Sequence, residues 1–440
     1  MNEDTVTDAV RWRILIVLLA AIAMSLINVS IVNVALPAIQ KGLGASQSDL
    51  QWVLSGYALT FGVVLVAAGR AGDIMGRVGM IQQYFRGNER GRAFGYFGSA
   101  VGVSVGIGPV IGGLLVDLGG VELGWRLTFL VNVPIGIATL IMAFVWFPKP
   151  LFRRGPRGTG NRSRRVLYML RALDPVGALL LGLAVFAILF PFMQSQGSAL
   201  NWLWLPAGMA LVFAWVRWER FYVRLGHSPM VDLNIFSTQS FTNGSLIMTL
   251  YFMGMTSIWV LVALYMQQGA GKSALQAGVV GIPAAFVSAL AANWAGKRVT
   301  KYGRKVVIGG LCCAITGVVL CIGVIMLHES GYLGVWWLMP SLVLIGLAQG
   351  SVISPNQTLT LAEVPLAYAG SSGAIMQTGQ RIGTSVGIAM ITAAVFALLN
   401  VTSWSVAAAS GFGLIGLIIS AALVVAIKDQ GGRRTGIAQP

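Results

Sequence analysis

Residues 93–116 read AFGYFGSAVGVSVGIGPVIGGLLV, a stretch without Lys, Arg, Asp, Glu or His that is long enough to cross the hydrocarbon core of a bilayer as a helix. Within it, Gly98, Gly102, Gly106 and Gly113 recur at near multiples of four, which strips side chains from one helix face and lets another backbone approach closely. Gly108-Pro109, followed one turn later by Gly112-Gly113, predicts a bend at a fixed depth. Eleven further apolar runs of similar length lie at 13–39, 49–69, 127–147, 175–193, 203–221, 240–266, 275–296, 305–327, 334–356, 370–399 and 405–427. The expectation is an all-α integral membrane protein of about twelve transmembrane helices.

The basic residues orient these spans. Of 30 Lys and Arg, 26 fall before the first run or on every second connection: around Arg11, in 70–92, 149–171, 217–224, 297–305 and 428–434. The alternate connections hold only Lys41, Arg126 and Lys272, and Arg381 lies inside a run. The positive-inside rule then places both termini and the basic loops in the cytoplasm of a multi-pass plasma (inner) membrane protein. Trp12, Trp52, Trp125, Trp146, Trp202, Trp294, Trp336, Trp337 and Trp404 sit near run boundaries, the level an amphipathic ring prefers.

Composition excludes several function classes. With 56% hydrophobic and 10% charged residues there is too little polar surface to solvate a globular domain of 440 residues. The net charge of +16 sits in short juxtamembrane loops, where anionic lipid is its expected partner, and no basic stretch is interleaved with aromatics as a nucleic-acid surface would be. Cys312, Cys313 and Cys321 share one run, and His227 and His328 stand apart, so no metal, cofactor or catalytic set is expected and the chain does not read as an enzyme. Gly269-Ala270-Gly271-Lys272-Ser273 echoes a phosphate loop, but Met266 stands where its first Gly is required.

The Arg-, Gly- and Pro-rich stretch 148–173 and a second polar stretch at 224–239 bracket the fifth and sixth runs. This predicts an amino-terminal bundle (1–147), a basic linker with a central helix pair (148–239) and a carboxy-terminal six-helix bundle (240–440). Gly69, Asp73, Gly76 and Arg77 repeat in spacing at Gly296, Thr300, Gly303 and Arg304, as expected of duplicated bundles in a secondary carrier.

Residues 98–113 resemble the antiporter motif of the major facilitator superfamily, and Gly69-Arg70-Ala71-Gly72-Asp73-Ile74-Met75-Gly76-Arg77 is similar to that family's signature loop. Asn28 to Pro37, Trp52, Tyr57, Trp125-Arg126, Phe129 and Asn132 to Gly136 complete a likeness to its fourteen-helix drug:proton antiporter branch. The resemblance implies a two-bundle carrier with a central helix pair that exports small amphipathic compounds, multidrug fashion, coupled to protons. Three departures stand out. Two helices that relatives carry between the signature loop and Glu89-Arg90-Gly91-Arg92 are replaced by residues 78–85, leaving four spans in the amino-terminal bundle. Asn28 stands where the family has a first-helix carboxylate, and Ile74 follows Asp73 where a base is usual.

Candidate roles follow. Gly69, Asp73, Gly76, Arg77, Gly102, Gly106, Pro109, Gly112 and Gly113 are expected to gate the conformational change, with Asp73 and Asp117 as proton-coupling candidates. Arg381, about eleven residues into its run with Gln377 and Thr384 on adjacent turns, costs at least ~3 kcal/mol in lipid, so it should face a bundle interior or an aqueous cavity. Asn28, Asn33, Gln349, Asn356 and Gln377 are the further cavity candidates, each open to the alternative of binding one helix to another. A carrier of small-molecule substrate competes at this point with a truncated, non-transporting membrane remnant or interaction scaffold.

Overall fold

A computed structural model describes residues 8–46, 49–50, 52–53, 56, 87–147, 174–193, 198–226, 229, 233–364 and 369–436. Twelve α-helices are described: α1 (Asp8–Leu43), α2 (Gly87–Leu130), α3 (Asn132–Trp146), α4 (Pro175–Met193), α5 (Trp204–Arg224), α6 (Gln239–Leu264), α7 (Ala274–Val279), α8 (Ile282–Tyr302), α9 (Arg304–Glu329), α10 (Leu338–Leu361), α11 (Ala369–Leu399) and α12 (Trp404–Gly436). Among the described residues there is no strand, and ten helical segments are long and apolar enough to cross a membrane, with the shorter apolar α4 beside them. Most of the run at 49–69, the loop holding Gly69, Asp73, Gly76 and Arg77, and the linker 148–173 lie outside the described residues.

Two boundaries differ from the sequence expectation for local reasons. The run at 275–296 is broken into α7 and α8, because Gly281 and then Pro283 in the first turn of α8 cannot supply a continuous ladder. The helix holding 93–116 keeps helical dihedrals through Pro109, and the backbone leaves them at Gly120 instead (φ 65°, ψ −167°). There the chain doubles back: a Cβ on Gly119 would meet the Gly124 backbone at 2.6 Å, so the third and fourth spans form a hairpin that only glycine permits.

Helices α6 and α8–α12 share one large buried cluster, in which α6 packs on α10, α11 and α12, α8 on α10, and α9 on α10 and α12. Lipid supplies no hydrophobic drive between helices, so close backbone approach carries the packing. Gly346 and Gly350 of α10 are filled by the backbone of α8, and Gly383 and Gly387 of α11 by carbonyls of α6. In the amino-terminal part α1 packs along α2, and α4 pairs with α5. α3 buries none of its residues.

Candidate functional site: the seam between the two halves

The two halves meet along α2, which lies between α1 on one side and α7 and α8 on the other. The predicted glycines divide between these neighbours. Gly102 faces Ala289 and Gly106 faces Ala285 of α8, while Gly113 faces the backbone of Ala274 and Leu275. Gly108 and Gly112 face Ile27, Ser30 and Ile31 of α1. From the opposite side Gly278 of α7 receives the Pro109 carbonyl, so glycine meets proline backbone across the seam.

Polar contacts fasten one end of this seam. Asp117 Oδ2 accepts from Ser273 Oγ (2.9 Å) and from Leu275 N–H (3.4 Å), at the start of α7. Ser273 also caps α7 with Gln276 in a reciprocal box. Gln267 Nε2 donates to the Val34 carbonyl (3.1 Å) and Gln268 Nε2 to Gln40 Oε1 (3.2 Å), both from the π-helical turn Tyr265–Gly269 that ends α6. Beneath these links lies an apolar plug in which Val32, Ala35, Leu36 and Ile39 of α1 pack with Val260, Leu264, Ile388 and Phe396. Where α1 ends, the Ser46 hydroxyl and N–H both donate to Asp49 and hold its carboxyl below the ordinary aspartate range. Sequence reasoning singled out Asp117 but not Ser273, Gln267 or Gln268. The recognisable signal was the Ser273-x-x-Gln276 cap, hidden by the likeness to a phosphate loop.

Further down the same space lie the polar candidates. Gln377, Arg381, Thr384 and Ile388 follow one another at helical spacing on α11, and Ile388 sits in the plug against α1. Gly379, Gly383 and Gly387 occupy the opposite face, against Thr249 and Met253 of α6. The half-buried Arg381 lies on the Ile388 side of α11, about 10 Å from the plug along the helix at 1.5 Å per residue. Asn28 precedes Val32 by one turn on α1 and its Oδ1 accepts from Asn132 Nδ2 of α3 at 2.9 Å. Thr384 and Thr256 approach at 3.4 Å between their hydroxyls, and Gln380 and Asn33 are buried.

Asn356 has a different place. It is fully buried, its Oδ1 accepts from Arg304 Nη1, and its Nδ2 donates to the Gly244 carbonyl at 2.9 Å. Arg304 Nε in turn donates to Asp429 Oδ2 at 2.7 Å, and Asp429 Oδ1 accepts from Asn243 at 2.8 Å. Four helices of the carboxy-terminal half, α6, α9, α10 and α12, are tied by this buried network, so Asn356 joins helices and lines no opening. Gln349, on the same helix, retains 9% exposure. Among the described residues no group of three or more His, Cys, Asp or Glu could hold a metal.

Comparison with known proteins agrees with this architecture. The chain is 29% identical to a probable actinorhodin transporter of Streptomyces coelicolor over 89% of its own length and 73% of that protein. It is 25% identical to the riboflavin transporter RibZ of Clostridioides difficile (87% and 88% covered) and 26% identical to the puromycin resistance protein of Streptomyces alboniger (87% and 82% covered). Among solved structures, an auto-inhibited peptide transporter of the POT family superposes with a TM-score of 0.56 at 12% identity, over 96% of both chains. A bacterial homologue of the human lysosomal transporter Spinster gives 0.51 at 15% identity over the same shares. The family model for the Major Facilitator Superfamily matches residues 77–388, which with the helical architecture settles the assignment. The chain belongs to the Major Facilitator Superfamily and is a multi-pass membrane transporter, not an enzyme.

Proposed function

We propose that this transporter exports small amphipathic compounds from the cytoplasm across the plasma membrane, driven by protons, with both termini cytoplasmic. The observation that carries the reading is a seam sealed at one end only by a few replaceable polar contacts above an apolar plug, with Arg381 and Asn28 beneath it. The charge asymmetry of the loops assigns the sealed end to the outside. Relatives named for antibiotic export or resistance support the substrate class. In this reading the bundles 1–147 and 240–440 rock about the seam while 148–239 stays beside them. Asp117 is the proton-coupling candidate at the outer seal, where it holds Ser273, and Arg381 contacts a hydrogen-bond-accepting group of the substrate. Asp73 acts in the cytoplasmic loop.

Uptake of a dye panel into inverted vesicles under an imposed proton gradient tests this. Gradient-dependent accumulation is expected, and its absence across the panel in vesicles that hold the protein refutes it. A second reading, an inactive remnant, is favoured by α3, which buries none of its residues in a bundle of four spans. Inserting two membrane spans at 78–85 would raise transport if that reading holds and leave it unchanged otherwise.

A further inference from the structure

The carboxy-terminal end of α8 gathers positive charge that nothing in the protein neutralises. Lys297, Arg298 and Lys301 are exposed in its last two turns, and Lys305 is exposed at the start of α9. No Asp or Glu occurs between Asp232 and Glu329, so α6, α7 and α8 hold none, and Glu329 closes the far end of α9. Among the described residues none of these cations makes an ion pair, whereas Arg304, the residue before Lys305, is buried against Asp429. What Arg298 and Lys301 touch is aromatic. The Arg298 guanidinium lies 4.4 Å from the centre of the Trp294 ring, and the Lys301 ammonium lies 5.4 Å from that of Tyr302. Contacts of this kind hold a long cation in place without cancelling its charge, so its N–H groups remain open to an anion.

Spacing puts these groups on one stripe. Trp294, Arg298, Lys301 and Tyr302 stand at i, i+4, i+7 and i+8, and Leu290 and Phe286 continue the line into the span at four-residue steps. All of them are exposed, while the buried Ser288, Ala291, Ala292, Ala295 and Val299 belong to the other side of the helix, where Gly350 of α10 meets it. From Trp294 to Phe286 the helix rises about 12 Å, close to the hydrocarbon depth of one leaflet, about 15 Å. Attraction to the negative end of the helix dipole accounts for Lys301 in the last turn. It does not account for Arg298 fixed over an indole one turn earlier, nor for the apolar track that leads away from it. Free phosphate would use the cations and leave Leu290 and Phe286 without a role. A molecule with an anionic head and a long hydrocarbon tail uses both.

We propose that this stripe binds one anionic phospholipid, its phosphate held by Arg298 and Lys301 beside Lys297 and Lys305, and an acyl chain lying along Trp294, Leu290 and Phe286. Every basic loop of the chain attracts anionic headgroups in a general way. Here two cations are set in position by rings and joined to an apolar track, which makes a defined site of this helix end. The site depends on lipid surrounding α8 and not on which compound is carried or how transport is driven.

The test uses the full chain purified in a mild detergent, with dioleoylphosphatidylglycerol added in steps and the lipids retained counted by native mass spectrometry. The wild type is expected to hold one phosphatidylglycerol under conditions that release dioleoylphosphatidylcholine. Arg298→Gln and Lys301→Gln should each weaken that retention about fivefold, the factor for one cation near an anionic surface. Trp294→Leu, which leaves every charge in place, should weaken it as well. Arg220→Gln and Arg224→Gln, which remove exposed cations from the end of α5, should leave it unchanged. All the substituted positions are exposed, so the fold is expected to survive each change. Equal losses in the α5 variants would reduce the effect to general attraction by basic loops and overturn the site. Phosphatidylcholine held as firmly as phosphatidylglycerol, retention unmoved by Trp294→Leu, or displacement of the lipid by inorganic phosphate at matched ionic strength would overturn it too.

Discussion

Gly113→Ala probes the seam most directly. A Cβ at this position would lie 2.6 Å from the Ala274 carbonyl oxygen and 2.6 Å from Leu275 Cα, backbone atoms held in the first turn of α7 that cannot rotate away as a side-chain tip could. Overpacking of this kind costs about 1–3 kcal/mol. The clash exists only while α2 and α7 touch, so the cost falls on the sealed state and shifts the equilibrium toward opening of that end by about 5- to 150-fold. Val34, 2% exposed and clustered with Ala263 and Ala274, is a suitable reporter. With Cys312, Cys313 and Cys321 removed, Val34→Cys should label with a membrane-impermeant thiol reagent at least several-fold faster when Gly113→Ala is present. Gly309→Ala is the control, since a Cβ there meets nothing within 4 Å. Equal labelling rates in the two backgrounds, at equal membrane abundance, would refute the assignment of this contact as a seal.

Other perturbations separate stability from transport. Asp429→Asn leaves Arg304 buried without its counter-charge and should cost about 3–5 kcal/mol, read as a lowered melting temperature of the purified protein, whereas the paired replacement Arg304→Met with Asp429→Leu recovers most of it. Unaltered melting in Asp429→Asn would show that the pair is not a tie. Arg381→Ala should reduce export more than tenfold, at least ~1.4 kcal/mol of lost interaction, with abundance in the membrane unchanged. Intact efflux would remove Arg381 from the path. Because Asp49 is held below its ordinary titration range by Ser46, the turn after α1 is tightened above that range and loosens as pH falls through the lowered value. Ser46→Ala removes the hydroxyl bond and keeps the N–H bond, so it should weaken that acid response in hydrogen exchange of the α1 end, and an undiminished response would assign it elsewhere.

Much of the architecture was legible because lipid imposes a simple rule: uncharged stretches near 20 residues must be spans, and basic loops mark one side. The glycines of 98–113 could be read as a packing stripe, but not which of them met α1 and which met α8, since that depends on helix rotation. Asn356 was expected to line a cavity because a polar residue in a span has two uses that spacing alone does not separate. Asp429, which joins the same network through Arg304, went unnoticed because it follows Lys428 past the last apolar run. In a chain where lipid-facing and bundle-facing positions are equally apolar, periodicity carries little information about which face is which.

The energies of the two polar clusters fit the motion proposed for them. The seal joins the halves by three side-chain links above the apolar plug, each link worth about 0.5–1.5 kcal/mol net. The Arg304 network lies within one half, is wholly buried, and would cost about 3–5 kcal/mol to break at a single partner. The three links total about 1.5–4.5 kcal/mol, which a proton moving down a membrane potential, at about 2.3 kcal/mol per 100 mV, offsets in large part. Under that drive the carboxy-terminal half should therefore move as a unit about α2, and strengthening the seal, not the network, should slow transport. Replacing Val34 and Gln267 by cysteines for cross-linking tests this: closure of the bridge should arrest transport reversibly, and continued transport in the bridged protein would contradict the motion.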